Sequence, residues 1–248
     1  MTRSRSKGRP TKTLVTREKI AEAALTIVGA EGYEKLTMSR IAREIGVGTS
    51  ALYNHVSGKE ELITLVEDAV MEQVDCGPLY AALGVTPTST PYKALSAWAT
   101  SYRDVCARHT PLVQFIAVTP ISGAPRTMEM YELVVQVFKK AGLSDERIMP
   151  RIVALESFIY GSAYDVHAPE EIFDIPPENA VEAPHLVRAR EAFLPHSNGA
   201  EAGNTADRNP YADESFRLGL EALLADITTA ECRPAPTPQG TASFPAHW

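Results

Sequence analysis

Residues 37 to 59, Thr-Met-Ser-Arg-Ile-Ala-Arg-Glu-Ile-Gly-Val-Gly-Thr-Ser-Ala-Leu-Tyr-Asn-His-Val-Ser-Gly-Lys, read as two short helices around a turn. Thr37 can cap a helix whose Ile41, Ala42 and Ile45 fall on one face, and Gly46 follows where a helix stops through a left-handed residue. Val47 can plug the angle. Gly48 and Thr49 then open a second helix with Ala51, Leu52 and Val56 turned inward. Ser57-Gly58-Lys59-Glu60 has the S-x-x-E form of a capping box. A third helix therefore starts at once, with Leu62, Leu65, Val66, Ala69, Val70 and Val74 as its buried stripe. This is the layout of a helix-turn-helix unit.

The outward positions suggest what such a unit touches. Thr49, Ser50, Tyr53, Asn54 and His55 carry hydroxyl, phenol, amide and imidazole groups, where an ordinary solvated helix more often shows Glu and Lys. These groups reach base edges and phosphate oxygens at small desolvation cost. Lys59, at the start of the third helix, is placed to sit beside a phosphate. Charge points the same way: residues 1–59 hold eleven Lys and Arg against five acids, a net of +6, so the chain total of -7 leaves -13 on residues 60–248. One end is built to approach a polyanion.

From Thr16 to about Glu72 the chain resembles the DNA-binding domain of the TetR family of bacterial transcriptional regulators. The resemblance rests on Ile20, Ala24, Ile27 and Val28 of a first helix, the Gly32-Tyr33 break, Leu36-Thr37, Ile41-Ala42, Gly46-Val47 and the run Leu52-Tyr53, His55-Val56, Lys59. It implies that Ser39, Arg40, Thr49, Ser50, Ala51, Tyr53 and His55 contact DNA and that Lys59 holds a phosphate. The helix starts at Thr37 and Gly48, with Asn54, complete the expected DNA-facing set. It further implies a homodimer on a palindromic double-stranded operator and a small organic effector bound in the C-terminal part.

The first twelve residues add Arg3, Arg5, Lys7, Arg9 and Lys12 with no acid. Such an end is disordered without a partner. Lys7-Gly8-Arg9-Pro10 resembles the core of a minor-groove hook, for which a narrow A·T groove supplies the negative potential. Diffuse attraction to the polyanion is an equal alternative to such groove contacts.

The rest of the chain has helical periodicity throughout and no strand-like alternation, so the expected fold is all-α. One helix from about 91 to 108 carries Leu95, Trp98, Tyr102 and Val105, and Pro111 breaks it with Thr110 as a cap. Another carries Met128, Tyr131, Val134 or Val135 and Phe138 and ends at Gly142. Ser144 opens the next, which runs to about 167 with Ile148, Ile152, Leu155 and Ile159 on one side. A link over 168–182, a shorter helix at 183–194, a polar loop at 195–209 and a last helix from about 210 to 230 follow. Gly161 and Gly219 lie inside the two helices that, by the resemblance, pack against a second copy. Taken as one-chain features, their stripes are ordinary core. The expected organisation is a basic arm over 1–12, a helix-turn-helix domain over 13–60 with a linking helix at 58–75, a ligand-binding and dimerisation domain over 76–231, and a disordered tail over 232–248 ending in Phe244 and Trp248.

The middle helices offer Trp98, Tyr102, Arg103 and His109, then Gln114, Phe115, Met128 and Tyr131, then Glu156, Tyr160, Tyr164 and Asp165. Apolar walls with a few orienting polar groups suit a planar or amphipathic organic molecule. Each residue alone is as readily core or surface, and His109 can also cap a helix C-terminus. Asp165, His167, Glu170 and Glu171 are close in sequence, but Pro169 redirects the chain and no second His is near, so no metal is expected. No hydrolase, P-loop or dinucleotide motif occurs, so neither a catalytic residue nor a cofactor is expected. Cys76, Cys106 and Cys232 are odd in number and far apart, which suits a reducing compartment. No apolar run reaches spanning length and no apolar signal core follows the basic start, so a cytoplasmic protein without membrane contact is expected.

The reading is a ligand-responsive repressor. An activator, a ligand-independent DNA-binding protein, and a helical small-molecule-binding protein with an incidental basic end remain as alternatives.

Overall fold

A computed structural model describes residues 15–175, 182–197 and 209–227, the side chains of 194–197 excepted. The arm cations Arg3, Arg5, Lys7 and Arg9, most of the 195–209 loop, and the tail with Phe244 and Trp248 lie outside the described residues. Among the described residues the structure is eleven α-helices and one 3-10 turn, with no strand: α1 (Arg17–Glu31), the turn (Tyr33–Lys35), α2 (Met38–Ile45), α3 (Thr49–Leu52), α4 (Lys59–Met71), α5 (Gly77–Leu83), α6 (Pro91–Arg108), α7 (Thr110–Ile116), α8 (Pro125–Lys140), α9 (Asp145–Asp165), α10 (Pro184–Ser197) and α11 (Ala212–Leu223). None is long and apolar enough to cross a membrane.

The N-terminal unit forms for the reasons its sequence offers. Thr16 and Thr37 accept from the backbone N–H groups of Lys19 and Arg40 and so cap α1 and α2. Gly46 stops α2 at φ +77°, a backbone region that costs an L side chain about 1–2 kcal/mol. Ile41, Ala42, Leu52 and Val56 are buried against Ile20, Ala24 and Ile27 of α1. Gly46→Ala should lower unfolding free energy by that 1–2 kcal/mol, read as a lower urea midpoint at unchanged slope; an unchanged midpoint contradicts this account of the turn.

Several local expectations are corrected. The partner of Ser57 is Glu61: its carboxylate accepts from the Ser57 N–H (2.8 Å) and hydroxyl (2.9 Å), and Gly58 occupies the N-cap without a side-chain bond. The linking helix stops at Met71 and the chain turns into α5, a helix opened by Gly77-Pro78 and closed by Gly84. Thr110 lies inside α7, its hydroxyl bonded back to the Ala107 carbonyl (2.7 Å). Ser144 stands at the N-cap of α9 but donates its hydroxyl to Glu146 instead of capping. In α8 the inward row is Thr127, Met130, Val134, Val137 and Phe138, so Met128 is exposed.

The C-terminal core forms where α6 packs on α5, α8 and α9, with Trp98, Tyr102, Leu95 and Phe138 fully buried. Ile148, Ile152, Leu155 and Ile159 of α9 are buried within this one chain. The opposite row of α9, Met149, Val153 and Tyr164, is exposed, as is Leu218 of α11. Gly219 permits a close approach inside the chain: a Cβ there would lie 2.3 Å from the Phe158 ring. At Gly161 a Cβ would meet nothing within 4 Å.

Candidate nucleic-acid interface and interior polar cluster

The turn after α3 is held from behind. Arg17 of α1 donates to the His55 carbonyl (2.6 Å) and to Glu61 (2.5 Å), while Glu61 holds Ser57. These bonds, chiefly Arg17 and then Ser57, pull the Glu61 carboxyl down to about 2. The loop from Tyr53 to Gly58 is thereby tied to α1 and α4. Outward stand Ser39, Gly48, Ser50, Tyr53 and Asn54, all exposed, with Tyr53 at 55%; Thr49, Ala51 and His55 are half-buried. Thr37 is exposed with its hydroxyl oxygen committed to the cap. Arg40 is clamped between Glu31 (2.5 Å) and Glu44 (2.7 Å), which raises its pKa further and occupies its guanidinium. To reach a phosphate it must exchange those partners. The exposed Lys59 lays its ammonium 5.0 Å from the centre of the Tyr33 ring, and that ring stacks on Phe115 of α7 at 3.6 Å.

The expected effector residues do not form one site. Trp98, Tyr102, Tyr131, Glu156 and Tyr160 come together between α6, α8 and α9. One oxygen of Glu156 accepts from the phenols of Tyr102 (3.2 Å), Tyr160 (3.1 Å) and Tyr131, and Tyr102 and Tyr160 bond to each other (2.8 Å). Burial first, then the neighbouring acidic groups, hold Tyr102 well above the usual phenol range. The other residues lie elsewhere. Arg103, 4% exposed, pairs with Asp104 and Asp213 (both 2.9 Å) and covers the Phe216 ring, tying α6 to α11. It borders an open groove of about 410 Å³ between those helices that the cluster does not reach. His109 bonds Gln73 (3.0 Å), and burial, with Arg108, lowers its pKa. Phe115 is spent on Tyr33, whereas Gln114, Met128, Tyr164 and Asp165 are exposed.

Two acids absent from the sequence reading prove to be buried. Glu67 of α4 is 3% exposed, with Oε2 lacking any hydrogen-bond partner among the described residues. Burial, then Asp68 and Glu156, push it up to about 8. Asp68 accepts from the Thr127 N–H (2.9 Å) and hydroxyl (3.1 Å), so a carboxylate on α4 caps α8, whose own N-cap Ala124 makes no side-chain bond. The only sequence signal is that both flank the Leu62, Val66, Val70 stripe, where a charged residue is ordinarily solvated.

Comparison with known proteins places this geometry in a family. Residues 20–66 match the family model "Bacterial regulatory proteins, tetR family" and residues 86–230 match "Tetracyclin repressor-like, C-terminal domain". The chain is 35% identical over 159 residues to the HTH-type transcriptional repressor DrrR1 of Streptomyces coeruleorubidus, a match covering 64% of this chain and 56% of that protein. It is 23% identical over 207 residues to the tetracycline repressor protein class E of Escherichia coli, covering 83% and 87%. Its fold is similar to that of the Streptomyces coelicolor TetR family protein ActR in complex with actinorhodin, at TM-score 0.62, 23% identity, and coverage of 87% and 96%.

Proposed function

Because the chain belongs to the TetR family of bacterial regulatory proteins, we propose that it is a homodimeric, ligand-responsive transcriptional repressor. Two α3 segments enter successive major grooves of a roughly palindromic operator, and a small organic molecule in the helical domain releases them. Ser39, Thr49, Ser50, Tyr53 and Asn54 read or position the DNA, and Lys59 holds a phosphate. The arm residues Arg3, Arg5, Lys7 and Arg9 add sequence-independent attraction, which makes binding fall steeply with salt.

The observation that carries the reading is the course of α4. It begins at Lys59 beside the recognition segment, and eight residues on, about 12 Å along the axis, it presents Glu67 to the interior and Asp68 to α8. A molecule that alters the interior shifts the helix whose start sits at the DNA. The stack of Lys59, Tyr33 and Phe115 offers a second link between the two units. The ligand weakens DNA binding only through its preference for the incompetent conformer, so a hundredfold preference corresponds to about 2.7 kcal/mol of coupling. The exposed row of Met149, Val153, Gly161 and Tyr164 on α9, with Leu218 of α11, is assigned to the dimer face. Among the described residues this row stays exposed, unlike the inner row of α9.

Selection of bound fragments from the source genome by purified protein at near-physiological salt, followed by release with metabolites suggested by neighbouring genes, tests the proposal. A palindrome released by one compound is expected. Recovery of A·T-rich fragments without symmetry would point to the arm alone and overturn it.

A further inference from the structure

Arg40 belongs to the helix expected to meet DNA, yet all three of its guanidinium nitrogens are taken by acids. Nε and Nη2 donate to Glu31 at the end of α1 (3.0 and 2.5 Å), and Nη1 donates to Glu44, one turn further along α2 (2.7 Å). The bonds from Arg40 hold the Glu31 carboxyl below the usual carboxylate range, so this acid is ionised at neutrality. Glu31 and Arg40 line one open groove of about 390 Å³ together with Thr37 and Ser39 at the start of α2. In and beside that groove Lys35, Arg40 and Arg43 are matched by Glu31, Glu34 and Glu44. With the clamp closed, the groove therefore offers a phosphate little net attraction.

We propose that Glu31 and Glu44 set the specificity of DNA binding by keeping Arg40 in reserve: on nonspecific DNA the clamp stays closed, and on the operator a phosphate takes the guanidinium from it. The assignment rests on the DNA-binding reading above and gives a specificity role to two acids that act through Arg40. Exchange breaks a bidentate ion pair and a second ion pair, so a phosphate competes only when it is held within hydrogen-bond reach. Nonspecific binding is driven by counterion release and lets a protein slide, so no phosphate stays in one place. On the operator, base contacts from Tyr53 and its neighbours fix the register, and the phosphate beside the start of α2 stays next to the groove that holds Arg40.

Salt dependence counts the phosphates a protein neutralises. One contact adds about 0.9 to the slope of log affinity against log salt, equivalent to about eightfold in affinity at about 0.1 M salt. Wild-type protein lacks the Arg40 contact on a random-sequence duplex and has it on the operator. Arg40→Ala is therefore expected to leave affinity and slope on the random duplex unchanged. On the operator it should flatten the slope by about 0.9 and weaken binding by up to about eightfold. The double variant Glu31→Gln, Glu44→Gln opens the clamp. Its slope on the random duplex should steepen by about 0.9, with affinity there up to about eightfold higher, while its operator slope stays as in the wild type. The ratio of operator to random-duplex affinity falls in both cases.

Fluorescence anisotropy of the full chain against a labelled random-sequence duplex and the operator recovered above, over a series of potassium chloride concentrations, tests this. Adding Arg40→Ala to the double variant should return the random-duplex slope to the wild-type value, because the gain needs the freed guanidinium. Glu44→Gln alone leaves the tie between α1 and α2 through Glu31 in place and should shift the slope in the same direction, with circular dichroism to verify that each variant is folded. A lower random-duplex slope for Arg40→Ala would mean that the arginine is already engaged there. A gain that survives in the triple variant would reflect the loss of negative charge alone, and weaker random-duplex binding by the double variant would make the acids supports that present Arg40 to DNA. Each of these three results overturns the proposal and leaves the repressor reading standing. Failure to recover any operator would sink the repressor reading, while the random-duplex slopes would still decide whether the clamp withholds Arg40.

Discussion

Tyr53→Ala is expected to cut operator affinity by roughly tenfold to a hundredfold, the 1–3 kcal/mol of a lost groove contact, with no change in thermal midpoint. Both halves follow from the same geometry. The Tyr53 side chain is 55% exposed and is not among the buried core residues, so its removal opens no cavity in the core. The backbone around it is held by Arg17 on the His55 carbonyl and by Glu61 on Ser57, so the loop keeps its course when the ring is gone. Arg17→Ala makes the informative contrast. It frees that loop and should reduce affinity through presentation of every α3 contact at once. Anisotropy titration of a labelled operator at fixed salt separates the two: Tyr53→Ala should alter the ranking of operator variants, and Arg17→Ala should weaken all of them alike. Wild-type affinity for Tyr53→Ala would remove this residue from the interface.

Glu67→Gln should raise stability above neutrality and flatten its pH dependence. The carboxyl of Glu67 is raised from an ordinary 4.5 to about 8 by burial and by its acidic neighbours. A raised folded-state pKa means that the folded chain holds the proton more tightly than the unfolded chain. The stabilising contribution is complete below about pH 4.5 and is lost progressively as the pH rises to about 8. The full swing is on the order of 3–5 kcal/mol, at most, for a shift of this size. Glutamine has no such titration, so the variant should gain on the wild type as the pH climbs from 5 to 8 and hold a constant advantage beyond. Urea unfolding at pH 5, 7 and 8.5 measures it. Parallel profiles for the two proteins would mean that Glu67 is solvated in the folded chain. Glu61 and Asp226, held low mainly by Arg17 and Arg151, act in the opposite sense and in a separate, more acidic window.

What the sequence by itself determined is the local part of this protein. Caps at Thr16 and Thr37, the left-handed Gly46 and the inward set Ile41, Ala42, Leu52 and Val56 are decided by residues a few positions apart. Short-range steric and hydrogen-bonding rules therefore suffice to read them, and the outward polar face of the recognition segment follows by exclusion. The helical class and most helix limits were legible for the same reason. What only the tertiary structure decided is which of several possible partners each polar group takes. Ser57 turns to Glu61 instead of Glu60, because Arg17 from α1 fixes that carboxylate. Arg103 faces α11, and Phe115 is claimed by Tyr33 from the other domain. Glu67 and Asp68 are adjacent acids with the same local surroundings, yet Asp68 caps α8 while Glu67 is buried with one oxygen lacking a hydrogen-bond partner among the described residues. Those outcomes depend on helices far apart in the chain arriving at one place, and no periodicity in a single segment encodes the charge and hydrogen-bonding capacity of the faces it will meet.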